Sequence, residues 1–171
     1  MTRENKAVAQ LCPACGLCCN GVLFGDVELR AGDDPRRLAA LGLDLFRKGR
    51  HLAFAQPCAC FDGKLCGIYA DRPKRCRTFE CRLLQRTQAE EVTTANALKK
   101  IQAARKQIEA VRRLVRKMGH TDERVPLNRR YVEVMEQPID LAAGDQNQKL
   151  RGRLMGAVEK LNQILERDFL T

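Results

Sequence analysis

Cysteine is the residue type in this sequence best placed to do chemistry. Nine are present, all before residue 82: Cys12, Cys15, Cys18, Cys19, Cys58, Cys60, Cys66, Cys76 and Cys81. A thiolate ligates soft metals and is also the nucleophilic and redox-active form of the residue. In Cys12-Pro13-Ala14-Cys15-Gly16-Leu17-Cys18-Cys19, two-residue gaps let a turn carry successive sulfurs toward one ion. Gly16 permits a positive φ in that turn, and Pro13 stiffens the approach. The second cluster runs from Cys58 to Cys81 with gaps of 1, 5, 9 and 4 residues. Both clusters lie among Gly, Pro and Asp, whereas buried free cysteines usually sit in apolar runs as small hydrophobes. An odd count leaves one thiol over after any full disulfide pairing. Metal ligation is therefore the expected chemistry.

The run C-x-x-C-x-x-C-C, followed by C…C-x-I-Y-x-x-R-P-x-x-C-R-x-F-x-C, resembles a zinc- or iron-chelating cysteine-cluster family (CxxCxxCC, YkgJ-type) over residues 12–81. The resemblance implies that Cys12, Cys15, Cys18, Cys19, Cys58, Cys66, Cys76 and Cys81 are the metal ligands. Arg72 and Arg77 fall in the same pattern, as do Ile68, Tyr69, Pro73 and Phe79. Their guanidinium groups are expected to donate to thiolate sulfurs and offset charge. Cys60 departs from the pattern and reads as a spare thiol. Tyr69 is expected to pack under the loop.

The cofactor is either an iron–sulfur cluster or zinc. Zinc ribbons and fingers usually offer paired C-x₂-C knuckles, and the second cluster has none. Cys12-x₂-Cys15-x₂-Cys18 is a spacing that wraps three corners of a four-iron cluster, with a remote fourth cysteine. The Pro that often follows that fourth cysteine is missing. Neighbouring Cys18 and Cys19 diverge, so they serve two centres, or one of them supports a ligand without binding. Eight sulfurs suit two four-sulfur sites, or one cluster plus one zinc.

The elements that must position these residues are mainly α-helical. The expected fold is a loop-rich, metal-stabilised cysteine core over 1–86 and a long antiparallel helical hairpin over 87–171. Thr93–Met118 contains no Pro or Gly and is rich in helix formers. Ala97, Ile101, Ala104, Ile108, Val111, Val115 and Met118 recur at alternating spacings of 4 and 3, an apolar seam capped by Gly119. Leu150, Leu154, Ala157, Leu161 and Ile164 give a second helix over about 147–169. Arg130–Met135 reads as a short strand or helical turn between Pro126 and Pro138, and 142–147 reads as a loop. Residues 22–29 read as extended. Asp34-Pro35 opens a short helix reaching about Leu41. The stretches 12–19 and 57–81 read mostly as loop.

Composition narrows the function classes. The chain has 171 residues and a formal net charge of +10. Residues 82–119 carry net +7, residues 1–81 carry +4, and residues 120–171 carry −1. The excess sits on the first long helix, as Lys99, Lys100, Arg105, Lys106, Arg112, Arg113, Arg116 and Lys117. Such a helix can meet phosphates. Aromatics at 5% with no Trp leave little to stack bases, so nucleic acid is not the favoured partner. A protein partner docking on the helical half is the other expectation. No apolar run is long enough to span a membrane. The start lacks the apolar core of a signal peptide, so a reducing cytoplasm is expected. His51 and His120 lie outside any ligand spacing and read as surface residues. No phosphate loop, dinucleotide fingerprint or Ser/His/Asp arrangement is present. The leading function is a metal-binding cysteine-cluster protein, with its enzymatic status open. The alternatives are a nucleic-acid-binding regulator with a structural or redox-sensing metal site, and an iron–sulfur redox enzyme or electron carrier.

Overall fold

The computed structural model describes residues 3–138 and 145–170. In order the elements are α1 (Arg3–Cys15), β1 (Asp26–Glu28), α2 (Pro35–Ala40), β2 (Leu45–Lys48), β3 (His51–Ala55), a 3-10 turn (Tyr69–Asp71), α3 (Lys74–Thr78), α4 (Arg82–Gln88), α5 (Thr94–Lys117), α6 (Leu127–Glu136) and α7 (Asp145–Asp168). The described chain is mainly helical, with its cysteines in the first half. No helix among the described residues is long and apolar enough to cross a membrane.

α5 follows from its sequence. Thr93 caps its start, with Oγ1 accepting from the Asn96 amide at 3.3 Å. Gly119 takes φ +94 just past its end. There the amides of Gly119 and His120 close on the carbonyls of Arg116 and Val115, a Schellman ending. The seam is buried as its spacing requires: Ala97, Ala104 and Val115 are fully covered, and Ile101, Ile108 and Val111 nearly so. Each buried Ile or Val side chain there contributes about 1.5–3 kcal/mol.

Around that seam pack Ala7 and Leu11 of α1, Leu83 and Leu84 of α4, Leu127 and Val134 of α6, and Leu154, Leu161, Leu165 and Phe169 at α7. The second stripe drifts from its expected line. Leu165 and Phe169 are buried, and Ile164 is only an edge contact, because a 3.6-residue turn outruns a strict 4-3 repeat.

A smaller apolar cluster forms around a three-stranded antiparallel sheet of order β1-β3-β2. Val27 pairs with Phe54 across β1 and β3, and Leu38, Leu43 and Ile68 close over them. Asp34 caps α2 as expected, its Oδ1 accepting from the Arg36 and Arg37 amides.

Several expectations need correction. Residues 12–15 are the last turn of α1, not loop, although Pro13 lies inside it. Cys76 is helical in α3, and Cys81 is the N-cap of α4. Arg130–Met135 belongs to a ten-residue helix, with Arg130 itself buried against Glu123 at 2.9 Å. Of residues 22–29 only Asp26–Glu28 form strand. The loop expected over 142–147 lies partly outside the described residues, and its last three positions are already α7.

Asp168 ties the end of α7 down. Its carboxylate is almost fully covered and accepts from Lys100 Nζ at 2.5 Å and Arg167 Nη2 at 2.7 Å. Burial alone would raise its pKa, but Arg167 and Lys100 outweigh it and hold it below the usual carboxylate value. Asp168→Asn should cost about 2–3 kcal/mol in denaturant unfolding. That lies under the range for fully buried pairs because Lys100 keeps 31% exposure. An unchanged unfolding midpoint would contradict this role.

Candidate metal centre

The end of α1 sets the first sulfurs. Gly16 adopts φ +68 and donates its amide to the Cys12 carbonyl at 3.1 Å, ending the helix. The amides of Cys19 and Asn20 then fold back on the Gly16 carbonyl. Leu17, fully buried, pins the turn to the helical core. Cys18 and Cys19 emerge from this turn next to each other. The Phe61 ring crowds Gly16, and a Cβ there would stand 2.7 Å from Phe61 Cζ.

The later cysteines arrive on separate supports. The Cys58 amide donates to the Cys19 carbonyl at 2.9 Å, joining the two clusters through backbone. Cys66 forms a bridge with Phe61 across a tight loop, in which Asp62 Oδ1 accepts from the Lys64 and Leu65 amides. Cys76 rides on α3, whose Lys74 amide donates to Asp33 Oδ1 at 2.7 Å. Cys81 starts α4, and the next amide, of Arg82, donates to the Phe169 carbonyl at 3.2 Å.

These pieces enclose a cavity of about 350 Å³. Seven of the nine cysteines line it: Cys12, Cys15, Cys18, Cys19, Cys66, Cys76 and Cys81. The wall includes Val27 of the sheet cluster and Leu11, Leu17, Leu83, Ile101 and Phe169 of the helical cluster. The thiols therefore sit where the two apolar clusters meet. Cys58 packs on the sheet cluster outside the cavity wall. Cys60 turns toward the end of α2, its Sγ donating to the Leu41 carbonyl at 3.4 Å. All nine cysteines are free thiols.

Cations face the sulfurs. Arg30, Lys64, Arg72, Arg75 and Arg77 line the cavity with Asp26, Glu28 and Glu80. Lys48 draws off Asp26 at 2.7 Å and Glu28 at 3.6 Å, and Gln88 bonds Glu80. Arg72 is the best placed: its charge acts on Cys12, Cys19 and Cys76. It is held by donation from Nε to the Tyr69 carbonyl at 2.9 Å, with the guanidinium 3.5 Å over the Tyr69 ring. Tyr69 is half exposed and carries Arg72 rather than packing beneath the loop. Arg77 lines the cavity from an exposed position. Arg75 lies 5.9 Å from the Phe79 ring.

Arg105 of α5 escaped the sequence reading, which placed it on a solvated basic face. Its Nη1 donates to the Ala14 carbonyl at 2.8 Å, and its charge favours the Cys15 thiolate. The only hint in the sequence is its position beside Ala104, next to the seam. His51 is exposed on β3, and His120 bonds Glu133 at 2.7 Å. Neither joins the cysteines.

Burial dominates the thiol chemistry. Desolvation, reinforced by neighbouring thiols, pushes Cys15, Cys19 and Cys58 up to about 12 and Cys76 to about 11. Cys12 rises to about 11 by the same causes, although its place at the solvent edge weakens the effect. Cys18 is driven well above the ordinary thiol value. At Cys81 desolvation also prevails, although the Leu84 and Leu83 amides at the start of α4 favour its thiolate.

A metal-free shell is thus a set of neutral thiols. Among the described residues, no three Cys, His, Asp or Glu side chains converge closely enough to hold one ion as they stand. The donor set still fits thiophilic metal: desolvated sulfurs, adjacent cations and a lined cavity. A metal ion would replace the thiol protons and supply the charge that makes buried thiolates tolerable.

A family model described as CxxCxxCC, "Putative zinc- or iron-chelating domain", matches residues 11–100. No curated protein and no solved structure matches the chain.

The raised thiols give the metal-free chain a signed pH response. Above the ordinary value of 9.0 an unfolded chain loses thiol protons that the folded chain keeps. The stability is therefore full below about pH 9 and is lost as pH rises toward 11–12. The melting temperature of metal-free chain should hold up to about pH 9 and fall between pH 9 and pH 11, and a flat profile across that window would contradict the buried thiols. Separately, Gly16→Ala should cost about 1–3 kcal/mol in unfolding experiments, through backbone strain and the clash with Phe61. A variant as stable as the parent would contradict that turn geometry.

Proposed function

The chain belongs to the CxxCxxCC family, and we propose that it chelates zinc or an iron–sulfur cluster through its cysteine shell. The observation carrying this reading is the cavity at the junction of two apolar clusters, lined by seven cysteines and faced by Arg72. Cys12, Cys15, Cys18, Cys19, Cys58, Cys66, Cys76 and Cys81 would be the ligands, and Arg72 and Arg77 their neighbouring cations. Eight thiolates around two divalent ions leave a charge of about −4. The cavity cations oppose that charge, so the burial has an electrostatic rationale. The metal would supply charge compensation and cross-link the segments that carry the cysteines.

The antiparallel hairpin reading of α5 and α7 is supported by two contacts running in opposite order along the helices. Lys100 meets Asp168, and Gln107 Nε2 donates to the Ala157 carbonyl at 2.7 Å. The regulator reading draws less support. Lys100 serves Asp168, Arg105 serves Ala14, and Arg112 and Arg116 bond Glu109 and Glu123. That leaves Lys99, Lys106, Arg113 and Lys117 facing solvent, a smaller cationic surface than the residue count suggests.

Anaerobic purification with zinc, iron and sulfide analysis tests the proposal. At least one equivalent of zinc, or iron with matching acid-labile sulfide, is expected per chain. Less than about half an equivalent of both metals would overturn it. Cys15→Ser should lower both metal content and melting temperature. Full metal and an unchanged melting temperature would remove Cys15 from the ligand set.

A further inference from the structure

The cysteines of the shell do not lie in one ring. Cys15 and Cys81 pack against the helical cluster, whereas Cys58, Cys60, Cys66 and Cys76 pack against the sheet cluster. The Gly16 turn sits between them and presents Cys18 and Cys19 side by side. Adjacent side chains leaving such a turn diverge, and their surroundings show which way each goes. After burial, the neighbours acting most on Cys18 are Cys15 and Cys81. After burial, the neighbours acting most on Cys19 are Cys76 and Cys66, and its carbonyl accepts from the Cys58 amide. Cys12 completes the first group beside Cys81. In the second group two thiols compete, Cys58 and Cys60. Cys60 also lies beside Cys66 and Cys58, but its Sγ donates to the Leu41 carbonyl at 3.4 Å, at the end of α2. The Cys58 amide donates to the Cys19 carbonyl at 2.9 Å, and after burial Cys58 is the thiol that acts most on Cys76, which selects Cys58 as the fourth sulfur.

We propose that this domain holds two separate metal centres, one on Cys12, Cys15, Cys18 and Cys81 and one on Cys19, Cys58, Cys66 and Cys76. The proposal rests on the metal-binding reading above and deepens it. The first centre has the C-x₂-C-x₂-C spacing of a four-iron cluster, with Cys81 as its remote fourth cysteine. The second draws one sulfur each from the Gly16 turn, the strand exit, the Phe61 loop and α3. Arg72 stands between them, acting on Cys12 of one group and on Cys19 and Cys76 of the other. Four thiolates on a divalent ion carry about −2, so each centre leaves negative charge facing that guanidinium. On binding zinc, each thiol gives its proton to solvent as its sulfur–metal bond forms, and nothing is oxidised or reduced.

The test uses the full-length chain, made metal-free and titrated with zinc alone or with equal amounts of ferrous and ferric iron together with sulfide. At each step free thiols are alkylated with iodoacetamide and mapped by mass spectrometry, and bound metal is counted by native mass spectrometry. Saturation at two zinc ions or two clusters is expected. Protection should advance in two blocks of four, with Cys60 alkylated throughout. Cys15→Ser and Cys66→Ser should each keep one centre and the protection of the other block. A protected block that mixes Cys15 with Cys66, or saturation at a single centre, would overturn the two-centre arrangement while leaving metal binding intact. A parent chain that takes up neither metal would overturn the metal-binding reading itself. Because the block pattern is read on the parent chain, a variant that fails to fold does not decide the matter.

Discussion

The burial of thiols at the contact between two apolar clusters is the constraint on which the rest of this fold turns. The helical cluster is organised by the α5 seam, and the sheet cluster by Val27 and Phe54. The two clusters meet at a wall in which cysteines stand among the aliphatic side chains. Neutral thiols are tolerable there as small apolar groups. As thiolates they would be desolvated charges, costly without a metal ion or a facing cation. The raised Cys15, Cys19 and Cys58 thiols express that cost directly. Arg72 and Arg105 express the partial remedy that the protein supplies by itself. On the proposed reading a metal supplies the rest.

The helical half braces this wall. Phe169, next to the end of α7, is fully buried and lines the cysteine cavity, and its carbonyl accepts from the amide that follows Cys81. Asp168 holds that end through Lys100 of α5. Arg105, one turn further along α5, reaches the carbonyl between Cys12 and Cys15. The basic helix that suggested phosphate binding thus commits Lys100, Arg105, Arg112 and Arg116 to contacts within the molecule. This is a physical reason to separate a charge count from a charge surface. A cation paired with a carboxylate contributes little to long-range attraction, whereas one beside a neutral carbonyl keeps its charge.

Legibility in the sequence followed the range of the forces involved. The α5 seam was readable because a 4-3 apolar repeat, a Thr cap and a Gly ending are local signals. Asp34-Pro35 was readable for the same reason. α1 was not, since Pro13 and the cysteines masked a helix that Ala7 and Leu11 stabilise only by packing on distant partners. α6 was read too short because its two flanking prolines suggested a turn, whereas Leu127 and Val134 bury it. The cysteine spacing identified the family pattern, and the structure adds which thiols face the cavity and that Cys60 turns away. Tyr69 ran the other way: the expected buried ring is a half-exposed platform under Arg72.

The central claim is that sulfur from these cysteines forms the inner shell of a bound metal. X-ray absorption at the metal edge of the anaerobically purified chain addresses it most directly. The account predicts a first shell made of sulfur at about 2.3 Å. A first shell dominated by nitrogen or oxygen at about 2.0–2.1 Å would contradict it.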